Sequence, residues 1–217
     1  MPSRRSPHVV VIAAGYLLGA ILYGRLPAHI PPLMAFSGFG PVWLGRPMCA
    51  FLLPTASAAT YVLLRSLGPA ASEPRASWPG AAAAYDAVML RIIVFLLGIH
   101  AMVLAGLLGM LRGSHWAAQI VPLLLGATMI TIGNLLPQMK PNAAIGIRTS
   151  ATLSNRTLWA RTHRTAGYVV VVLGALTVVA GLAIPPPIGS EMTIAIAPAA
   201  VLGAAALLFF SKKRISI

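Results

Sequence analysis

The sequence predicts an all-α polytopic membrane protein with six transmembrane helices and both termini inside. Three observations carry this expectation. The 217 residues are 58% hydrophobic and only 9% charged, against roughly a quarter charged in soluble domains. That is too little charge to cover a soluble surface. Six stretches of 18 to 21 residues lack Lys, Arg, Asp and Glu, and a bilayer core of ~30 Å needs about 20 helical residues. The basic residues between these stretches fall mostly on alternate loops.

The expected spans run over 6–24, 47–64, 92–111, 116–136, 166–184 and 192–211. In lipid only helices and closed barrels satisfy the backbone. None of the runs shows the two-residue alternation of barrel strands, so all read as helices. The first follows Arg4 and Arg5 as a signal peptide would. Yet Tyr23, Gly24 and Arg25 follow it without a small-residue cleavage site, so it reads as a retained helix.

With both termini inside, 13 of the 16 basic residues are cytosolic. Only Arg25, Arg46 and Arg112 are then outside, which fits the positive-inside rule. The loop 25–47 is irregular, rich in proline and glycine, and faces outward. The chain reads as a two-helix unit over 1–68, a cytosolic linker over 69–86 and a four-helix unit over 87–217. Short loops at 112–115 and 185–191 make their flanking helices antiparallel neighbours.

The charge balance of 16 basic to 3 acidic residues would suggest nucleic acid in a soluble protein. Here the charges are scattered between apolar runs and report topology, so no direct nucleic-acid contact is expected. Cys49 is the single cysteine and cannot form an internal disulfide. No cofactor and no metal are expected, and no acidic side chain falls within the six spans. That removes paired-carboxylate chemistry. Zinc-protease, P-loop and dinucleotide motifs are lacking too, so no enzyme is expected. His100 lies inside the third run with no second histidine at its depth. It reads as a packing residue rather than a haem ligand.

The informative stretch is GNLLPQMKPNAAIGIRTSATLSNRTLWARTHRTAG, residues 133–167. Thr131, Asn134 and Gln138 share one face of the fourth helix. A polar row in lipid should face the bundle interior, either as helix–helix glue or as a ligand contact. Pro137 and Pro141 end that helix. Lys140 and Asn142 open the loop that contains Gly146, Arg148 and Thr149. Arg148 is either a solvated positive-inside charge or the partner of a helix end or phosphate. Ser154 reads as the N-cap of the next helix. Trp159 and His163 then lie one turn apart on one face, with Thr162 beside them and Gly167 where the fifth span begins. His163 reads as a structural hydrogen-bonding residue. Arg148, Trp159 and His163 should gather at the end of the fourth helix.

This stretch resembles the SdpI family of bacterial membrane proteins. The matching residues are Gly133-Asn134, Pro137, Lys140, Asn142, Gly146-Ile147-Arg148-Thr149, Thr152-Leu153-Ser154, Trp159, Thr162-His163 and Gly167. Family members usually carry Pro-Trp after the Arg-Thr pair, where this chain has Ser150-Ala151. The N-terminal part is similar to a two-helix domain that often accompanies the family. It keeps Leu26-Pro27, Ile30-Pro31, Gly38, Arg46, Pro54 and Tyr61, but has Leu33 at the usual histidine position. The resemblance implies a bacterial inner-membrane immunity or signalling protein without catalysis. A toxic peptide or envelope ligand would meet the outer loop. A cytosolic regulator or anionic lipid would meet the basic inner loop at 140–164. The alternative is a small transporter or channel, for which the Thr131–Asn134–Gln138 row and the prolines at 122, 137 and 198 speak.

Overall fold

In the computed structural model, residues 6–27, 45–67, 79–111, 116–142 and 145–184 are described. The sixth expected span, most of the outer loop, the loops at 112–115 and 185–191, both chain ends and linker residues 68–78 lie outside them. The described residues are all-helical: α1 (Pro7–Leu22), α2 (Arg46–Leu67), α3 (Pro79–Leu107), α4 (Ala117–Leu135), α5 (Ser150–Ser154) and α6 (Arg156–Ala183). Five helices, all but α5, are long and apolar enough to cross a bilayer. The chain is a multi-pass membrane protein.

One correction concerns where α3 starts. Its expected span began at Ile92, but the helix runs 29 residues from Pro79. Proline is tolerated in the first turn of a helix, and the alanines at 81–84 favour helix. Charge therefore does not mark the start of the helix. Asp86 lies within it and pairs with Arg65 of α2 at 3.5 Å.

The chain divides into two compact units that do not follow chain order. The first joins residues 1–62 to 93–114. Its core is Leu26, Ala50 and Leu104, with Leu18, Leu22, Phe51 and Leu107 packed around them. Gly15 and Gly19 are four residues apart, so they share one face of α1 and let α2 approach closely. Gly15 meets the Pro54 ring, and Gly19 meets the carbonyl of Ala50. Proline at 54 has no N–H, so that carbonyl has no helical donor four residues on. The Tyr16 and Thr55 hydroxyls hydrogen-bond across the same two helices at 2.9 Å.

The second unit joins residues 63–92 to 115–217. There α4 and α6 run antiparallel along a seam of small residues. Pro122 meets Gly181, Gly126 meets Gly174, and Gly133 meets Gly167. The three glycines of α6 recur every seven residues, the period that keeps one seam facing a partner helix. A Cβ on Gly174 would stand 2.8 Å from the Gly126 carbonyl oxygen, and one on Gly126 would stand 2.6 Å from that of Gly174. The backbones are therefore in contact. At one end of the seam a second core forms from Ala84, Tyr85, Val88 and Met139, joined by Ile132, Leu135 and Ile145. The Tyr85 hydroxyl ties this core to α2 by donating to the Leu64 carbonyl at 2.6 Å.

Candidate functional site

The site is built at the end of α4, where the sequence stops being helical for a physical reason. Pro137 falls within a 3₁₀ turn, Leu136–Gln138, and Met139 is already extended. The Met139 N–H closes that turn on the Leu136 carbonyl at 3.1 Å, and the residues just after it lack helical partners. Side chains supply them instead.

Asn142 folds the next turn. Its Nδ2 donates to the Lys140 carbonyl at 2.9 Å and to the Ile145 carbonyl at 3.0 Å. Its Oδ1 accepts the Ile145 N–H at 2.8 Å. Three bonds from one buried amide define a loop that composition alone would leave open. Gly146 then takes a φ of +117°, a backbone conformation that L side chains rarely adopt. A Cβ there would also run into Nε2 of His163.

Thr149 and Thr152 form a reciprocal cap for α5. The Thr152 N–H donates to Oγ1 of Thr149 at 3.1 Å, and the Thr149 N–H donates to Oγ1 of Thr152 at 2.9 Å. This is the capping-box arrangement with threonine where Glu or Gln is usual. The Thr152 hydroxyl also donates to the Ile147 carbonyl at 2.8 Å.

The expected N-cap is displaced by one residue. Ser154 is the last residue of α5, and its hydroxyl turns back to the Ala151 carbonyl. Asn155 is extended, and its side chain accepts the Leu158 N–H at 3.0 Å to start α6. An amide on an extended residue reaches the open N–H groups of the first turn, and a residue still in helix does not.

The first turns of α6 close the site. Trp159 and His163 are 1% and 0% exposed, and their rings stack at 3.9 Å with 17° between planes. The indole N–H donates to the Met139 carbonyl at 2.9 Å. The Ile147 N–H donates to Nε2 of His163 at 3.1 Å. Nε2 must then be unprotonated, so Nδ1 carries the proton and donates to the Trp159 carbonyl at 3.0 Å. Two adjacent rings thus hold two separate main-chain segments, one on each side of the 140–146 turn.

Of the residues expected at this site, the structure brings together Asn142, Gly146, Thr149, Trp159 and His163, with Thr162 buried beside them. Gly167 lies one step along the seam, packed on Gly133 and the Pro137 ring. Arg148 is exposed and is not part of the cluster. Lys140, Arg156, Arg161 and Arg164 are exposed as well, so the clasp is apolar and amide-rich inside and basic outside.

The polar row is a second correction. Thr131, Asn134 and Gln138 are all exposed among the described residues. Gln138 Nε2 donates to the Asn134 main-chain carbonyl at 3.1 Å, and the Thr131 hydroxyl to the Thr128 carbonyl at 3.0 Å. The glycine seam occupies the face of α4 that meets α6, so the row turns elsewhere.

Sequence reasoning missed the Met139 carbonyl, the Ile147 amide and the Asn155 cap. The first two are main-chain groups without a side-chain signature. The seven-residue glycine repeat of α6 was readable and would have located the α4 contact.

Comparison with known proteins follows the same segment. Residues 138–211 match the SdpI/YfhL protein family. The matched range begins at the turn that ends α4 and includes Met139, Asn142, Gly146, Trp159 and His163. The chain is also 26% identical over 172 residues to Immunity protein SdpI of Bacillus subtilis (strain 168), covering 79% of this chain and 78% of that protein. No solved structure matches the chain. The resemblance read from residues 133–167 therefore extends along most of the sequence, and the clasp is the described part of the SdpI-like segment with a distinct local structure.

Proposed function

We propose that this protein is an integral membrane immunity or signalling protein of the SdpI type. It protects against or senses a toxic peptide or envelope ligand at the outer face, without catalysis. In this reading six helices span the bacterial inner membrane and both termini are cytosolic. The observation that carries it is the 172-residue similarity to Immunity protein SdpI. The clasp supports it physically. Trp159 and His163 turn the end of α4, the 145–149 segment and the start of α6 into one fixed surface. Lys140, Arg148, Arg156, Arg161 and Arg164 surround it with positive charge, suited to an acidic cytosolic regulator or anionic headgroups. The alternative, a small transporter or channel, draws on the exposed Thr131–Asn134–Gln138 row and the prolines near it.

The test is protection. Peptide-sensitive bacterial cells expressing the chain, and matched cells with an empty vector, are challenged with a purified secreted killing peptide of the kind SdpI-type proteins counter. Survival of the expressing cells alone supports the proposal. Equal killing at confirmed membrane expression counts against it.

A further inference from the structure

His100 lies in α3 within the first compact unit, where it is 1% exposed. Neither ring nitrogen completes a hydrogen bond among the described residues. A neutral imidazole carries one N–H. The other nitrogen is a bare acceptor. Bulk solvent does not reach a bilayer interior, and an unmet polar group there is costly.

The ring borders a small cavity lined by Gly15, Pro54, Ser57, Ile93 and Leu97, with about 10 Å³ available to the centre of a water-sized molecule. That is about the minimum that holds one water. Ser57 is buried, at 4% exposed, and its hydroxyl donates to the Leu53 carbonyl at 2.9 Å. Its lone pairs are left as acceptors. The cavity therefore presents two acceptors, His100 nitrogen and Ser57 Oγ, and walls that are otherwise apolar.

We propose that this cavity is a binding site for a single water molecule, which donates one hydrogen to His100 and the other to Ser57. The serine proton goes to Leu53, and the water supplies the two hydrogens that the His100 acceptor nitrogen and Ser57 Oγ lack. A second water would have neither space nor partners. The site links α1, α2 and α3 inside the first unit through a small polar core, at a place where Pro54 and Gly15 leave the room for it. His100 is then a positioning residue rather than a ligand for a metal or haem.

A double-mutant cycle in lipid nanodiscs tests this. Midpoints of thermal unfolding are compared for the wild type, Ser57→Ala, His100→Leu and the double variant. Both single substitutions should lower the midpoint, and the double should fall no further than His100→Leu alone, because both singles break the same bridge. Additive losses, or a His100→Leu protein that melts at or above the wild type, would overturn the proposal. A second measurement covers the case in which His100→Leu does not fold. In histidine-¹⁵N-labelled wild type, assigned with Ser57→Ala and His100→Gln, the unprotonated His100 nitrogen should show a magnetisation-transfer peak to water that weakens in Ser57→Ala. No such peak in the wild type means a dry cavity and ends the proposal.

Discussion

Trp159 and His163 lie four residues apart on α6 with their rings stacked at 3.9 Å, and each bonds a different part of the chain. Trp159 holds Met139 at the end of α4, and His163 holds Ile147 beyond the turn. Neither interaction is between charges. The join is made of dispersion, stacking and two hydrogen bonds in a water-poor place, where such bonds are most sensitive to loss of one partner.

Replacing His163 with phenylalanine keeps the stack and removes the acceptor. The Ile147 N–H then loses its partner, which costs about 1–3 kcal/mol for a buried donor. Amide hydrogen exchange at Ile147 should speed up by one to two orders of magnitude on the same arithmetic, with the α4–α6 seam unaffected. Unchanged exchange at Ile147 would show that the bond does not hold the turn.

Gly146→Ala meets two obstacles at once. Its φ of +117° is unfavourable for any residue with a Cβ, and the new methyl would strike the His163 ring. Backbone strain of this kind costs about 1–3 kcal/mol, before the His163 displacement is counted. Gly24→Ala is the control, since nothing lies within 4 Å of its Cβ position. Thermal unfolding in detergent should separate the two variants clearly.

The glycine seam makes a similar contrast. Gly174→Ala places a methyl 2.8 Å from the Gly126 carbonyl oxygen and 2.9 Å from the Ile130 nitrogen. The helices must move apart, at about 1–3 kcal/mol for an overpacked core. Gly106→Ala in α3 finds no atom nearer than 3.9 Å and should be neutral or stabilise by up to about 1 kcal/mol through helix propensity. Equal melting of the two proteins would mean that α4 and α6 are not in backbone contact.

Much of this was legible in the sequence, and the parts that were not have physical reasons. Five spans were readable because a bilayer demands about 20 uncharged residues and few other structures do. The Trp159–His163 pair was readable because four residues bring side chains together on any helix. Asn134 was misread because polarity alone does not say which face a helix turns inward. That choice belongs to Gly126 and Gly133, whose lack of side chains lets α6 approach. The start of α3 was misread because Arg91 interrupts the charge-free run, yet it lies within the helix and its guanidinium donates to the Ala87 carbonyl one turn back at 2.9 Å. The Asn142 turn needed coordinates, since its three bonds all go to main-chain groups.

The exposed position of Asn134 sets the outcome of its substitution. A buried, unpaired amide would make Asn134→Leu costly. With the side chain exposed and the main-chain carbonyl engaged by Gln138, the change should move stability by no more than about 0.5 kcal/mol. A larger loss at normal expression would indicate a partner for the Asn134 side chain beyond the described residues.

Arg148 decides between a built contact and a diffuse one. A guanidinium seated against helix carbonyls would depend on its planar fork, and lysine could not replace it. Arg148 is exposed instead, so its contribution to the basic surface around the clasp is that of a point charge. Arg148→Lys should then melt with the wild type and bind vesicles containing phosphatidylserine equally well when the isolated protein is reconstituted in nanodiscs. Arg148→Glu should melt normally too, but lose vesicle affinity. One basic residue near an anionic surface is worth about 1 kcal/mol, and a reversal counts roughly twice. The loss should shrink as salt shortens the Debye length from about 10 Å at 0.1 M toward 3 Å at 1 M. An Arg148→Lys protein that binds as poorly as Arg148→Glu would show that the guanidinium geometry matters after all, and that the basic surface recognises a shaped partner rather than a charged plane.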